Sequence, residues 1–243
     1  MKKFELTSEF VTFLGKKLFR IKALISFGNV EEGELGGYVE KEENLSNDGN
    51  AWVCGNARVF GNARVYGNAE VFGDAWVYGD AWVCGNARVC GNARVYGNAR
   101  VCGDAEVFGD AWVYGDARVC GNARVFGDAW VCGDAWVCGD AEVFGDAWVY
   151  GDAWVCGDAE VFGDAWVCGD ADYATVHGFG SEYRTTTFFR TKAGDIGVRC
   201  GCFYGTLEEF RAKVKETHGE TKTAKEYLMV ADLMEFRFSK EEA

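Results

Sequence analysis

From Gly49 to Cys168 the chain is twenty consecutive hexapeptides of one form, Gly-[Asn/Asp]-Ala-[Arg/Trp/Glu]-Val-[Phe/Tyr/Cys], with a degraded copy, GDADYA, at 169–174. In extended backbone the side chains alternate, so Ala and Val of each Ala-x-Val face one way and the residue between them faces the other. Gly followed by Asn or Asp tolerates positive φ and lets the chain turn sharply before the next Ala-x-Val. The repeat therefore dictates short strands joined by tight corners. It also accounts for 33 Gly and no Pro in 243 residues: the glycines are periodic punctuation and not a flexible linker.

Read from its Val, the unit is Val-[Phe/Tyr/Cys]-Gly-[Asn/Asp]-Ala-x, which resembles the aliphatic-x-x-x-small-x hexapeptide of left-handed parallel β-helices. That resemblance implies a triangular coil of three hexapeptides, 18 residues per coil, with Val inside and Ala near the corners. Twenty units then make between six and seven coils. A three-sided coil predicts that side chains eighteen apart stack, and the sixth position sorts accordingly. One column reads Phe72, Cys90, Phe108, Phe126, Phe144, Phe162; the next Phe60, Tyr78, Tyr96, Tyr114, Cys132, Tyr150; the third Tyr66, Cys84, Cys102, Cys120, Cys138, Cys156. The fourth position does the same. One face carries Trp52, Glu70, Arg88, Glu106, Arg124, Glu142 and Glu160, with Glu and Arg alternating; a second gathers Trp76, Trp112, Trp130, Trp148 and Trp166 with Arg58 and Arg94; the third carries Arg64, Trp82, Arg100, Arg118, Trp136 and Trp154. Duplication of an 18-residue unit would also produce these columns, and would still imply one coil per unit.

The flanks differ. Residues 1–48 are expected to form an N-terminal strand or hairpin cap, with FELTSEF and LFRIKALISF as strands joined at Gly15, Lys16 and Lys17, followed by a Gly-rich passage into the repeat region, 49–174. Residues 175–243 read as a small α+β (ββαα) domain: a hairpin around KAGD, then two helices with capping-box spacing at Thr206/Glu209 and Thr223/Glu226. Gly219 stops the first, whose apolar stripe is Leu207, Phe210 and Val214; the second buries Tyr227, Val230, Ala231 and Met234. Open β-helix ends expose unpaired strand edges, so both flanks are expected to act as caps. The whole is mainly β.

The polar start, MKKFELTSEF, lacks a signal peptide's apolar stretch, and no run reaches membrane-span length, so a cytoplasmic location is expected. There the 11 Cys are reduced thiols. A net charge of −13 disfavours direct binding to nucleic acid and to anionic membranes.

Hexapeptide β-helices are most familiar as acyltransferases with a loop histidine as general base, and this chain departs from that pattern. Its histidines, His177 and His218, lie beyond the repeat, no loop interrupts residues 49–168, and no enzyme activity is expected. Cys200-Gly-Cys202 places two thiols on one side of a strand, but no second Cys pair stands at ligand spacing, and neither metal nor cofactor is expected.

Two features point to binding. Trp76, Trp112, Trp130, Trp148 and Trp166 would form an apolar strip on a flat face, and soluble monomers rarely leave one uncovered. Residues 125–174 hold nine Asp with Glu142 and Glu160 and no Lys or Arg, a density of roughly 0.8 charges per Å against roughly 0.6 for duplex DNA. Asp128, Asp134, Asp146 and Asp152 are therefore candidate contacts, although Asp is also an ordinary turn residue. The GELGGYVEKEENLS, GNARVY and CGCFYGTLEEFRAKVKETHG segments together resemble the uncharacterised hexapeptide-repeat proteins of bacteria, phages and prophages. The expected function is a non-catalytic solenoid that binds protein, either a second copy in a homo-oligomer or a host factor, with inhibition of a host defence or nucleic-acid enzyme as the phage-like case. A glycan-binding module built on the Trp ladder and an acyltransferase are the alternatives.

Overall fold

Residues eighteen apart lie directly above one another. Arg88 pairs with Glu70 on one side and Glu106 on the other, and Val89 with Val71 and Val107, in parallel register. The structure, a computed structural model, describes residues 2–180 and 182–239; the remaining residues of the 175–243 segment, Ser181 and 240–243, lie outside the described residues, as does Met1. Twenty two-residue strands, β4–β23 from Trp52–Val53 to Trp166–Val167, are wound three to a turn into a parallel β-solenoid of just under seven turns. Every third strand belongs to the same sheet, which gives three parallel sheets along the axis. Ala and Val of every unit are buried, so each turn places three valines in the core at about 1.5 kcal/mol or more apiece.

The ladder has a direction. From Asn56 to Tyr150, Asp146 excepted, the backbone N–H of the second, fourth and sixth positions donates to a carbonyl 17 residues later, for example Asn56 N to Gly73 O at 2.9 Å, Arg58 N to Ala75 O at 2.9 Å and Phe60 N to Val77 O at 3.0 Å. The first turn therefore leaves carbonyls facing the N-terminal end, and the last turn leaves N–H groups facing the C-terminal end. Buried groups of either kind need partners. The two caps differ in chemistry for that reason.

At the N-terminal end, β1 (Phe4–Phe13) and β2 (Lys16–Ala23) form an antiparallel hairpin, and β3 (Leu35–Val39) pairs with β2 on one side and β5 (Arg58–Val59) on the other. The turn is Leu14–Gly15, both at positive φ (47° and 76°), which matches the twist of a two-residue hairpin. Lys16 and Lys17, expected in the turn, begin β2 instead, and Lys16 ion-pairs with Glu40 at 2.8 Å. The Gly-rich passage is itself an incomplete turn of the solenoid: Tyr38 pairs with Arg58 and Leu45 bridges Val65. Donor side chains cover the carbonyls. Asn44, fully buried, donates Nδ2 to Gly61 O at 3.1 Å and Ala63 O at 2.8 Å. Lys3, 2% exposed, donates Nζ to Ala51 O at 2.8 Å and Gly49 O at 3.3 Å.

Burial pushes the Lys3 ammonium down from 10.5 to about 8, against the opposing pull of Asp48. Between these values the unfolded chain holds the proton and the folded chain has released it, so stability gains with rising pH. Relative to Lys3→Met, in which nothing titrates, wild-type stability is expected to rise by up to about 3 kcal/mol between pH 8 and 10.5, as read by chemical denaturation of both chains at stepped pH. A difference between them that stays flat over this window would refute the burial of a charged Lys3.

The C-terminal cap supplies acceptors. Asp170 Oδ1 takes Trp154 N at 2.9 Å, Asp172 Oδ2 takes Cys168 N at 3.0 Å, and Thr187 Oγ1 takes Glu160 N at 3.0 Å. GDADYA is thus no coil strand: Asp170–Asp172 form a 3₁₀ turn, and Tyr173 opens a four-stranded antiparallel sheet, β24 (Tyr173–Phe179), β25 (Arg184–Arg190), β26 (Ile196–Cys200) and β27 (Phe203–Thr206). The sequence suggested two strands here. Phe189 of β25 is fully buried and closes the solenoid core. The other side of the sheet packs against α1 (Leu207–His218) and α2 (Lys222–Phe238) around Phe188, Phe210, Val214, Val230 and Met234. The capping box at Thr206 and Glu209 is present, and α1 ends at Gly219 with φ 57°. α2 is capped by Thr221, two residues before the expected Thr223: its Oγ1 accepts from Ala224 N at 3.3 Å.

Candidate binding faces

The first face satisfies its own charges. Arg88 lies 3.6 Å from Glu70 and 3.1 Å from Glu106; Arg124 lies 3.6 Å from Glu106 and 2.9 Å from Glu142; Glu160 takes Arg199 of the cap at 2.6 Å. The expected alternation is a continuous ion-pair ladder, leaving little there for a partner.

The second face holds the tryptophan row expected to bind. Trp112, Trp130, Trp148 and Trp166 stack with centroids 4.7, 4.6 and 5.0 Å apart and planes within 10°. Arg94 fills the gap in the row, 4.4 Å from the Trp76 ring and 4.6 Å from that of Trp112. Phe13 closes one end against Trp76 at 4.5 Å, and Lys192 lies over Trp166 at 5.7 Å. The strip is half-buried and not freely exposed. Its ring faces cover one another, whereas a sugar-binding platform needs a bare ring face, so this row does not suit glycan docking.

Uncovered tryptophans lie on the third face, where Trp82 and Trp136 are each 36% exposed and Trp154 is 51% exposed. Tyr96 and Tyr114 press edge-on against Trp112 and Trp130, sixteen residues on, at 6.1 and 6.0 Å, and Tyr66 against Trp82 at 6.1 Å, whereas Trp136 and Trp154 have the small Cys120 and Cys138 in that place. Trp154 donates Nε1 to Cys138 Sγ at 3.0 Å and packs against Trp136 at 5.7 Å, and Arg118 covers Trp136 at 4.6 Å. The fuller row of tryptophans is on the second face, and the more exposed rings are on the third.

The corners divide along the axis. In the N-terminal half an Asn amide donates to the Asp or Asn above it: Asn56 to Asp74 at 3.2 Å, Asn62 to Asp80 at 3.0 Å, Asn92 to Asp110 at 3.0 Å and Asn98 to Asp116 at 2.9 Å. In the C-terminal half Asp128 and Asp146 continue the stack begun by Asp110, and Asp134 and Asp152 the stack begun by Asp116. All four are exposed, and no hydrogen bond links these carboxylates to one another among the described residues. Carboxylates one coil apart, about 4.8 Å, repel. Asp170 and Asp172 leave the acidic set, because they cap the last turn.

His177 Nδ1 lies 3.1 Å from Thr185 Oγ1, while His218 stacks on Tyr227 at 5.8 Å. Cys200 ends β26 and takes Thr186 Oγ1 at 3.1 Å; Gly201 at φ 58° turns the chain, so the exposed Cys202 does not share one side of a strand with Cys200 as expected. Among the described residues no group of three or more His, Cys, Asp or Glu surrounds a common point. A cavity of about 490 Å³ lies between the last turn and the cap, lined by Trp154, Cys156, Tyr173, Met234 and Arg237. No helix among the described residues is long and apolar enough to cross a membrane.

Residues 51–67, 63–79, 81–97, 87–102 and 117–133 match the model of the YdcK β-solenoid repeat, together well under half of the chain. No curated protein matches the sequence. The stacked register and the matched repeats agree: this chain is a β-solenoid repeat protein, similar over those segments to the YdcK repeat.

Proposed function

We propose that the solenoid is a non-catalytic binding scaffold whose C-terminal half docks a basic protein on the third face. The supporting observation is the placement of the exposed Trp136 and Trp154 between two acidic corners, one with Asp116, Asp134 and Asp152, the other with Asp140 and Asp158. An aromatic centre with a charged rim is the usual anatomy of a protein interface, and aromatic anchors contribute most of its energy. A second copy would bring the same carboxylate stacks, and a net charge of −13, against themselves, which favours a partner of opposite charge over self-assembly. Asp128 and Asp146 extend the same negative field from the remaining corner.

Affinity capture from a bacterial lysate is the test, comparing wild type with a chain in which Asp128, Asp134, Asp146 and Asp152 are Asn and with Trp136→Ala/Trp154→Ala. Wild type is expected to retain a protein of high isoelectric point that both variants lose and that elutes at about 0.5 M salt, where screening shortens to a few ångströms. Equal retention by all three chains, or a stable homodimer of the wild type in sedimentation, would overturn the reading.

A further inference from the structure

The third edge of the solenoid, beside this face, carries five thiols in register: Cys84, Cys102, Cys120, Cys138 and Cys156. The sheet fixes their spacing, since Val83, Val101, Val119, Val137 and Val155 pair successively and each Cys N–H from Cys84 to Cys138 donates to the Val carbonyl of the next coil at 2.9 Å. All five are free; the first four are half-buried and Cys156 is exposed. Cys102 stands between Cys84 and Cys120 in the column, and Cys138 follows Cys120 one coil on. The Trp154 indole donates to Cys138 Sγ at 3.0 Å.

We propose that this edge binds soft monovalent metal ions, Cu(I) or Ag(I), in two-coordinate fashion, one between Cys84 and Cys102 and one between Cys120 and Cys138. Thiolates select soft ions. A metal–thiolate bond is about 2.3 Å long, so two in line span about 4.6 Å, close to the coil rise of about 4.8 Å. A straight column offers no third or fourth ligand at the same point, which excludes a tetrahedral site here. Binding breaks two S–H bonds and forms two S–metal bonds, sends two protons to solvent and moves no electrons. Each bis-thiolate unit is then left with one negative charge. Arg100 and Arg118 stand beside the column and favour that charge.

Titration of the whole chain with Ag(I) in the presence of excess glutathione tests this, with native mass spectrometry counting ions and a pH indicator counting protons. Two ions and four protons are expected for wild type. Cys90→Ser/Cys132→Ser, which alters the other two edges, is expected to keep both ions, and Cys102→Ser/Cys138→Ser, which leaves no two thiols on adjacent coils, to lose both with its circular dichroism unchanged. Wild type that yields its silver to glutathione, or a Cys102→Ser/Cys138→Ser chain that still holds an ion, would overturn the proposal. The proton count on wild type decides independently of any variant: silver held without proton release would not be thiolate-bound.

Discussion

Gly115→Ala is expected to destabilise the solenoid by about 2–5 kcal/mol, and Gly157→Ala by only about 1–2 kcal/mol, although both add one methyl group at the same position of the repeat. The two glycines share a left-handed backbone, with φ 74° and 68°. Any L-residue there carries that conformational cost of roughly 1–2 kcal/mol. They differ in what lies above. A Cβ on Gly115 would stand 3.0 Å from Gly133 N and 3.1 Å from Gly133 O, whereas one on Gly157, in the last turn, meets nothing within 4 Å. The obstruction is backbone and cannot swing aside, so the corner must open and stretch the 2.9 Å bond from Asp116 N to Gly133 O. Chemical denaturation of both variants against wild type measures the difference. Equal losses would mean that corner-to-corner contact does not restrict the repeat to glycine, and that φ alone does.

The same eighteen-residue step explains why the interior of the repeat was legible and its surroundings were less so. Twenty near-copies let every column be checked against its neighbours, and the Glu/Arg alternation on the first face and the Phe column became an ion-pair ladder and a ring stack, with Phe108 and Phe126 4.8 Å apart. Exposure was harder to read, because a ring's neighbours come from the adjoining column as well as from its own: Tyr114 packs edge-on against Trp130, whereas Trp154 has the small Cys138 in that place. The incomplete first turn escaped notice since Tyr38 and Leu45 pair with Arg58 and Val65, two residues out of step with the repeat. In the C-terminal cap, β24 follows the repeat without a break, so its first residues passed for a worn copy, and the turn at Gly201 splits what looked like one strand into β26 and β27.

Direction in the hydrogen-bond ladder explains residues that no pattern in the sequence singled out. Asn44 looks like one polar residue among several in EKEENLS, and Asp170 like one more turn aspartate. Each is fitted to its own end of the solenoid: a donor where carbonyls are left over, an acceptor where N–H groups are. The bound state of a partner on the third face would leave this arrangement untouched, because the ends are closed by the caps and the face is bordered by corners.

Reversing the polarity at one end while keeping the shape should therefore be among the most damaging single changes available. Asn44→Asp is expected to cost about 4 kcal/mol or more. The side chains are isosteric, but Asp loses both donors, leaving Gly61 O and Ala63 O without their partners and setting a carboxylate against them at a fully buried position. That carboxyl would hold its proton more tightly folded than unfolded, so the loss relative to wild type should be smallest near pH 4 and grow toward pH 8. Asp170→Asn makes the converse exchange at the other end and keeps the oxygen that accepts Trp154 N, so it should cost about 1 kcal/mol or less. Denaturation of the two variants at pH 4 and pH 8 separates the outcomes. If they were equally mild, or if the loss in Asn44→Asp did not depend on pH, the ends of the solenoid would be held by packing of residues such as Phe4 and Phe189 alone, and the direction of the ladder would have no energetic consequence.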